Sequence, residues 1–268
     1  MGNTKVLIAV KTYPTFSTKY DEIVCTAGFK EDGSWIRIYP IPFRQLDYNK
    51  QYKKYDWIEL DLIKNKSDFR PESFRPRSID TEIKIINHIG TNDNWSIRKN
   101  IVFKKVYTNL SLLITEAKDR NITTSLATFR PTEIIDFVYK EVSRDWDESK
   151  LISLRQCKLF EERNGKIDIV RKIPYKFSFI FKDDEGKESK LMIEDWETGQ
   201  LFWKCYDKHN NETKACEDVR SKYLNDLAST KDLHFFLGTT KLNHFRAPNP
   251  FIIIGAFYPK IEKQFKLF

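Results

Sequence analysis

The residues best suited to chemistry in this chain stand in one short row. Along residues 34–39 (SWIRIY) strand alternation sends Ile36 and Ile38 to one face and Trp35, Arg37 and Tyr39 to the other. An aromatic–cation–aromatic row is what single-stranded nucleic acid needs. Rings stack on unpaired bases for roughly 1–3 kcal/mol each, and a guanidinium holds phosphate. Lys11 and Tyr13 fall at the end of the preceding strand pattern, and Arg44 follows Pro40-Ile41-Pro42 closely. Arg70, Arg75 and Arg77 extend the set as a basic groove. The competing reading packs Trp35 under a helix and lets Arg37 snorkel or pair with a carboxylate.

Other constellations are weaker. Arg70-Pro71-Glu72-Ser73 reads as a preorganised site loop or, more plainly, as an Arg–Glu staple. Lys11, Cys25 and Arg44 suggest a thiol in a basic pocket, but Cys25 alternates with Ile23 and Ala27, as a structural thiol does. Glu194, Asp195 and Glu197 around Trp196 form an acidic cluster that would suit a divalent metal such as Mg²⁺ in a nuclease, with Lys190 and Lys204 nearby. His234 and His244 bracket Gly238-Thr239-Thr240 and raise a base-modifying reading, against which they are ordinary strand and loop histidines. With nine glycines and no phosphate-loop, dinucleotide or Ser-His-Asp spacing, no cofactor is expected outside the Mg²⁺ alternative.

The elements that must carry these residues are mostly strands. Residues 5–11 form a compact β run stopped at Pro14, and 21–29 with 34–39 make a hairpin around Asp32-Gly33. Residues 55–63 alternate strictly, 67–78 read as an ordered loop because two Arg-Pro pairs impose extended geometry, and 81–89 resume a strand. A helix is expected over 110–118 behind Asn109, another over 148–162, and a third over 212–227 with Ala215, Val219, Tyr223 and Leu227 on one stripe. Tyr175, Phe177, Phe179 and Phe181 form one aromatic face. Residues 189–195, 233–239 and 251–258 complete a second β cluster.

This content predicts a mainly β protein of two tandem OB-like small barrels, each with a capping helix. The expected division is a first barrel over 1–130, a helical connector over 131–170 and a second barrel over 171–268.

Charge and composition fit a nucleic-acid partner without requiring one. Lys and Arg number 46 against 38 Asp and Glu, a net +8. Residues 1–134 hold 22 basic and 16 acidic side chains, whereas 135–268 hold 24 and 22, so the excess lies mostly in the first half. The longest apolar run, 251–257, is far short of the ~20 residues of a membrane helix. The first residues show no signal-peptide pattern, and Cys25, Cys157, Cys205 and Cys216 follow no metal or disulfide spacing. A cytoplasmic location is expected.

The chain also resembles the dual OB-containing domain family of prokaryotic conflict systems. The resemblance rests on Lys11-Thr12-Tyr13-Pro14, on Cys25-Thr26-Ala27-Gly28, on the block from Trp35 to Arg44 and on Arg70-Pro71-Glu72-Ser73. Asp195-Trp196-Glu197, Gly238-Thr239 and the block from Phe251 to Pro259 continue it. The resemblance implies tandem OB barrels and a nucleic-acid-binding or sensing module of a bacterial antiviral system, acting with a partner effector. It implies no catalytic residues. The expected partner is DNA or RNA, mainly single-stranded. The alternatives are a metal-dependent nuclease or base-modifying enzyme, and a subunit that binds a protein or a nucleotide signal.

Overall fold

A computed structural model describes residues 2–17, 21–78, 80–148 and 170–262. The protein is mainly β, with 38% strand and 26% helix. The chain divides into two compact units, Met1–His88 with Lys140–Lys176, and Ile89–Tyr139 with Phe177–Phe268.

The first unit is built on β1 (Asn3–Lys11), β2 (Thr15–Ser17), β3 (Asp21–Phe29), β4 (Trp35–Ile41), β5 (Asp56–Lys64), β6 (Ser73–Pro76) and β7 (Lys84–His88). The order β1-β3-β4-β6-β5 returns to β1, because β1 also pairs with β5, and this closes a five-stranded barrel. β4 and β6 run parallel, while the other barrel pairs are antiparallel. Counting the barrel strands alone, the order is first, second, third, fifth, fourth, which is OB connectivity. Closure removes the free edges that an open sheet of this size would expose.

Alternation fills the interior. Val6, Ile8, Ile36, Ile38, Ile58, Leu60 and Leu62 are all buried. Gly28 sits opposite Ile8, where a Cβ would lie 2.0 Å from the Leu7 carbonyl oxygen, so only glycine permits that approach. The Asp32-Gly33 hairpin forms as expected: Gly33 has φ +79°, and the Asp32 carboxylate accepts from the Ser34 N–H and hydroxyl.

One strand was hidden in the expected loop 67–78. β6 closes the ring there although Pro76 lacks an N–H. The predicted capping helix of the first barrel lies elsewhere: residues 110–118 belong to the second unit. Between β4 and β5 the barrel has two single 3₁₀ turns at Phe43–Gln45 and Tyr48–Lys50.

The second unit carries α1 (Asn92–Val102), β8 (Val106–Tyr107), α2 (Leu110–Lys118), β9 (Leu126–Phe129), β10 (Glu133–Glu141), β11 (Tyr175–Lys182) and β12 (Glu188–Ile193). It continues with α3 (Trp196–His209), α4 (Glu212–Arg220), a π-helical continuation over Ser221–Ala228, β13 (His234–Thr239) and β14 (Phe251–Phe257). Its seven strands run β10-β11-β12-β14-β13-β9-β8. Among the described residues they form a path rather than a ring.

Residues 126–129, placed with the first barrel by sequence, pair with β13 in this sheet, because four buried apolar and hydroxyl side chains complete its centre. β10 likewise occupies ground expected to be a helical connector. The helix expected over 148–162 lies almost wholly outside the described residues. Asn109 caps α2 as expected, accepting from the Leu112 N–H at 2.8 Å. The Ala215, Val219, Tyr223 and Leu227 stripe is buried, and Phe137, Phe179 and Phe235 form an aromatic core against Tyr223.

Candidate nucleic-acid interface

The face of interest is the outer surface of β3 and β4 with the loop joining β5 to β6. OB barrels bind oligonucleotides on their second and third strands and on the loops beside them. In the register of β3 and β4, Phe29 opposes Trp35 and Ala27 opposes Arg37. A bulge between Val24 and Thr26 brings the half-buried Cys25 beside Arg37. Trp35 packs its ring 4.1 Å from Phe29 and remains half-buried, and Tyr39 is 37% exposed.

Arg37 is not a groove cation. It is 3% exposed, beneath the β5–β6 loop, with Nη1 donating to the Ser73 hydroxyl at 3.3 Å and its backbone N–H to the Glu72 carbonyl at 2.8 Å. Arg70 is buried as well and is clasped by Asp68: Nε reaches Oδ1 at 2.9 Å and Nη2 reaches Oδ2 at 2.6 Å. The staple anticipated in this loop as Arg–Glu includes a carboxylate that the expectation did not name, Asp68. The Ser73 hydroxyl also donates to Asp68 Oδ2.

Electrostatics follow the packing. Burial, then the neighbouring Arg70 charge, pulls the Arg37 pKa down. Burial opposes ionisation of Asp68, yet Arg70 and Ser73 overcome it and hold its pKa at about 2. Burial raises the Cys25 thiol despite both arginines, so this is no activated nucleophile. Tyr39 is raised by burial, then by Cys25, with Arg70 opposing.

The loop itself is tied down. Lys64 donates to the carbonyls of Arg70 and Pro71, and Asn65 and Ser73 join its two ends.

The other predicted residues divide. Lys11 is buried, donating to the Tyr52 carbonyl at 3.1 Å with its ammonium 4.2 Å from the Phe43 ring centre. Tyr13 donates to the Arg171 carbonyl, and Arg44 pairs with Glu22 at 2.7 Å. Arg77 is exposed and pairs with Asp61. Arg75 is exposed and braced by the carbonyls of Pro76 and Arg77. Arg37 and Ile38 align with Ser73 and Phe74 in parallel register, and Tyr39 and Arg75, both exposed, are the residues that follow this pairing on their two strands. Phe69, which sequence reasoning passed over, is 45% exposed on the same loop as Arg70. Its signal is an aromatic between two residues of an Asp-x-Arg clasp.

The enzymatic candidates are dispersed. Asp195 is buried at the start of α3, Glu194 is half-buried and Glu197 is exposed. Among the described residues no group of three His, Cys, Asp or Glu side chains is placed to hold a metal. His234 is buried against Phe103, its Nδ1 3.1 Å from the Asp232 carbonyl, and burial lowers its pKa. The Thr239 hydroxyl and His244 Nδ1 lie 2.8 Å apart in the interior. Both histidines take core positions.

Residues 2–104 match the domain of unknown function DUF8758, and residues 106–268 match the domain of unknown function DUF8757. The chain belongs to the DUF8757 family. In this member a DUF8758 domain precedes the DUF8757 domain, and the junction falls between α1 and β8.

No curated protein sequence matches the chain. Among solved structures it is similar to a murine DNA-binding protein bound with double-stranded DNA, at 10% identity and TM-score 0.35 over 98% of both chains. It is also similar to the tetrameric p202 HIN2, at 9% identity and TM-score 0.31 over 97% of this chain and 92% of that one. A replication protein A heterotrimer bound to single-stranded DNA aligns at 9% identity and TM-score 0.27, over 98% of this chain and 67% of that one. Among the described residues no helix is long and apolar enough to cross a membrane.

Proposed function

We propose that the first unit binds nucleic acid on the outer face of its barrel, with Tyr39, Trp35 and Phe69 as stacking groups and Arg75 and Arg77 as phosphate contacts. The observation that carries this reading is the exposure of Tyr39 and Arg75, the residues that follow the last pairs of the β4–β6 ladder, on a closed OB barrel. Arg37 and Arg70 act one layer down. With Asp68 they hold the β5–β6 loop in place, so that the surface rings are presented rigidly. Stacking favours unpaired strands, and the arginines supply a sequence-independent, salt-sensitive affinity.

The test is fluorescence anisotropy with labelled single-stranded and duplex oligonucleotides at two salt concentrations. Preferential single-strand binding with a steep salt slope supports the reading. Absence of binding at low salt, or normal binding by a folded Tyr39→Ala/Arg75→Ala variant, sinks it. The finer proposal is that the chain serves bacterial antiviral defence with a partner effector. Its support is the resemblance of the Lys11–Pro14 and Trp35–Arg44 blocks. Co-purification of a neighbouring gene product from nuclease-treated lysate tests it, and loss of that product on nuclease treatment counts against a protein effector.

A further inference from the structure

Within the second unit, the end of α1, the start of β10 and the segments flanking β13 and β14 enclose a cleft of about 940 Å³. That is the size of a small-molecule site, which typically runs to about 300–1,000 Å³. Its cations and carboxylates are unevenly matched. Lys99 pairs with Glu262, Arg130 with Asp232 at 3.0 Å, and the remaining lining carboxylate, Glu133, pairs with Lys182 at 2.8 Å.

Lys231 and Lys260 also line the cleft and take part in none of these pairs. Asp226, the acid that senses Lys231, is held by Lys222. The two lysines face each other directly across an antiparallel β-bridge. That geometry puts both side chains on one side of the strands, with Cβ atoms about 4.5–5.5 Å apart, and like charges so placed repel.

The structure also invests in holding Lys260 there. Asn94 accepts from the Lys260 N–H at 2.8 Å and donates to its carbonyl at 3.0 Å. To do so it sits in a run of left-handed residues: φ is 47° at Asp93, 45° at Asn94 and 64° at Trp95. Non-glycine residues in that region are costly and persist where surrounding contacts enforce them. Phe103, Pro131, Ile134 and Ile261 add apolar surface to the lining of the same cleft. An anion at the lysines relieves their repulsion, and an apolar body attached to it fills the remaining volume.

We propose that this cleft binds a phosphorylated small molecule of mononucleotide size, its phosphate between Lys231 and Lys260 and its body against the apolar lining residues. Lysine suits phosphate as a point charge. The proposal is independent of the barrel-face reading, since its residues lie in the other unit.

Melting temperature and titration calorimetry test it on the full chain, with adenosine and cytidine 5′-monophosphates, inorganic phosphate and the unphosphorylated nucleosides as probes. At least one monophosphate is expected to bind and raise the melting temperature more than phosphate does, with no shift from the nucleosides. Lys260→Glu replaces a repulsive pair with an attractive one, so the unliganded variant should melt no lower than the wild type while its monophosphate shift disappears. Lys231→Gln should cut monophosphate affinity at least tenfold with an unchanged circular dichroism spectrum. No shift with any phosphate, or a shift that survives both substitutions, overturns the proposal. A Lys260-dependent preference for 5′-phosphorylated over 5′-hydroxyl oligonucleotides without monophosphate binding also overturns it, assigning the cleft to a strand end.

Discussion

Arg37 and Arg70 in the first unit, and Lys231 and Lys260 in the second, are each a pair of like charges held close by the fold. Arg37 is buried beneath the β5–β6 loop and Arg70 within it, clasped by Asp68, whereas the lysines line a cleft whose carboxylates pair with other cations. The chemistry of the two side chains accounts for the difference. A guanidinium is planar, weakly hydrated and matched to a carboxylate by two parallel hydrogen bonds, so it tolerates an interior when clasped. An ammonium is compact and strongly hydrated, so it enters the interior where a carbonyl and an aromatic ring replace its water, as at Lys11, and otherwise keeps its contact with water. A cation's type and partners, more than its sequence neighbourhood, decide whether it braces the fold, as Arg70 does, or is left on a cleft lining, as Lys231 and Lys260 are.

The largest effect on that contrast should come from Asp68→Ala, which leaves Arg70 buried without its carboxylate. Breaking one side of a buried pair costs about 3–5 kcal/mol, and thermal denaturation should show the first unit strongly destabilised. If the loss is under 1 kcal/mol, the clasp does not hold the loop. Acid should reproduce part of this in the intact protein. The Asp68 carboxyl titrates at about 2 when folded and near 3.9 when unfolded. Its contribution is therefore fully present above about pH 4 and is lost as pH falls towards 2. Urea denaturation across that range should show the decline, and it should be shallower in Asp68→Asn.

Next in size is Tyr39→Ala, which should weaken single-strand binding by about 1–3 kcal/mol, roughly 5- to 150-fold in Kd, without moving the melting temperature. Arg75→Ala should be smaller still in its signature. Losing one phosphate contact lowers the salt slope for single strands by about 0.7. Arg37→Met should leave that slope unchanged, because an arginine under the loop touches no phosphate. A slope reduced by Arg37→Met would show that the loop opens and that the buried pair is the true contact surface.

How far each residue's fate could be read in advance depended on the range of the interactions involved. The Asp32-Gly33 turn, the Asn109 cap and the helical stripe from Ala215 to Leu227 depend on neighbours within a few residues, and they form where the pattern places them. β6 escaped notice because Arg-Pro pairs are a loop signal, while its status as a strand comes from pairing with β5 on one side and with β4, remote in sequence, on the other. The acidic run Glu194, Asp195, Glu197 suggested a metal, yet it marks the start of α3 and splits by burial. Alternation also put Arg37 on the outer face correctly, but no local rule states that a loop thirty residues later will cover that face.

Local chemistry was enough to specify a mainly β chain, its hairpins, several helices and a basic, aromatic strand at the centre of the first unit. Propensity, turn geometry and side-chain alternation act over a few residues and are written into the order of the amino acids. Closure of the barrel, the clasp of Asp68 on Arg70, the pairing of 126–129 with the second sheet and the meeting of Lys231 with Lys260 across a bridge were decided by tertiary structure. Each depends on which distant segment arrives to exclude water or supply a countercharge, and burial and electrostatics take their sign from that arrival.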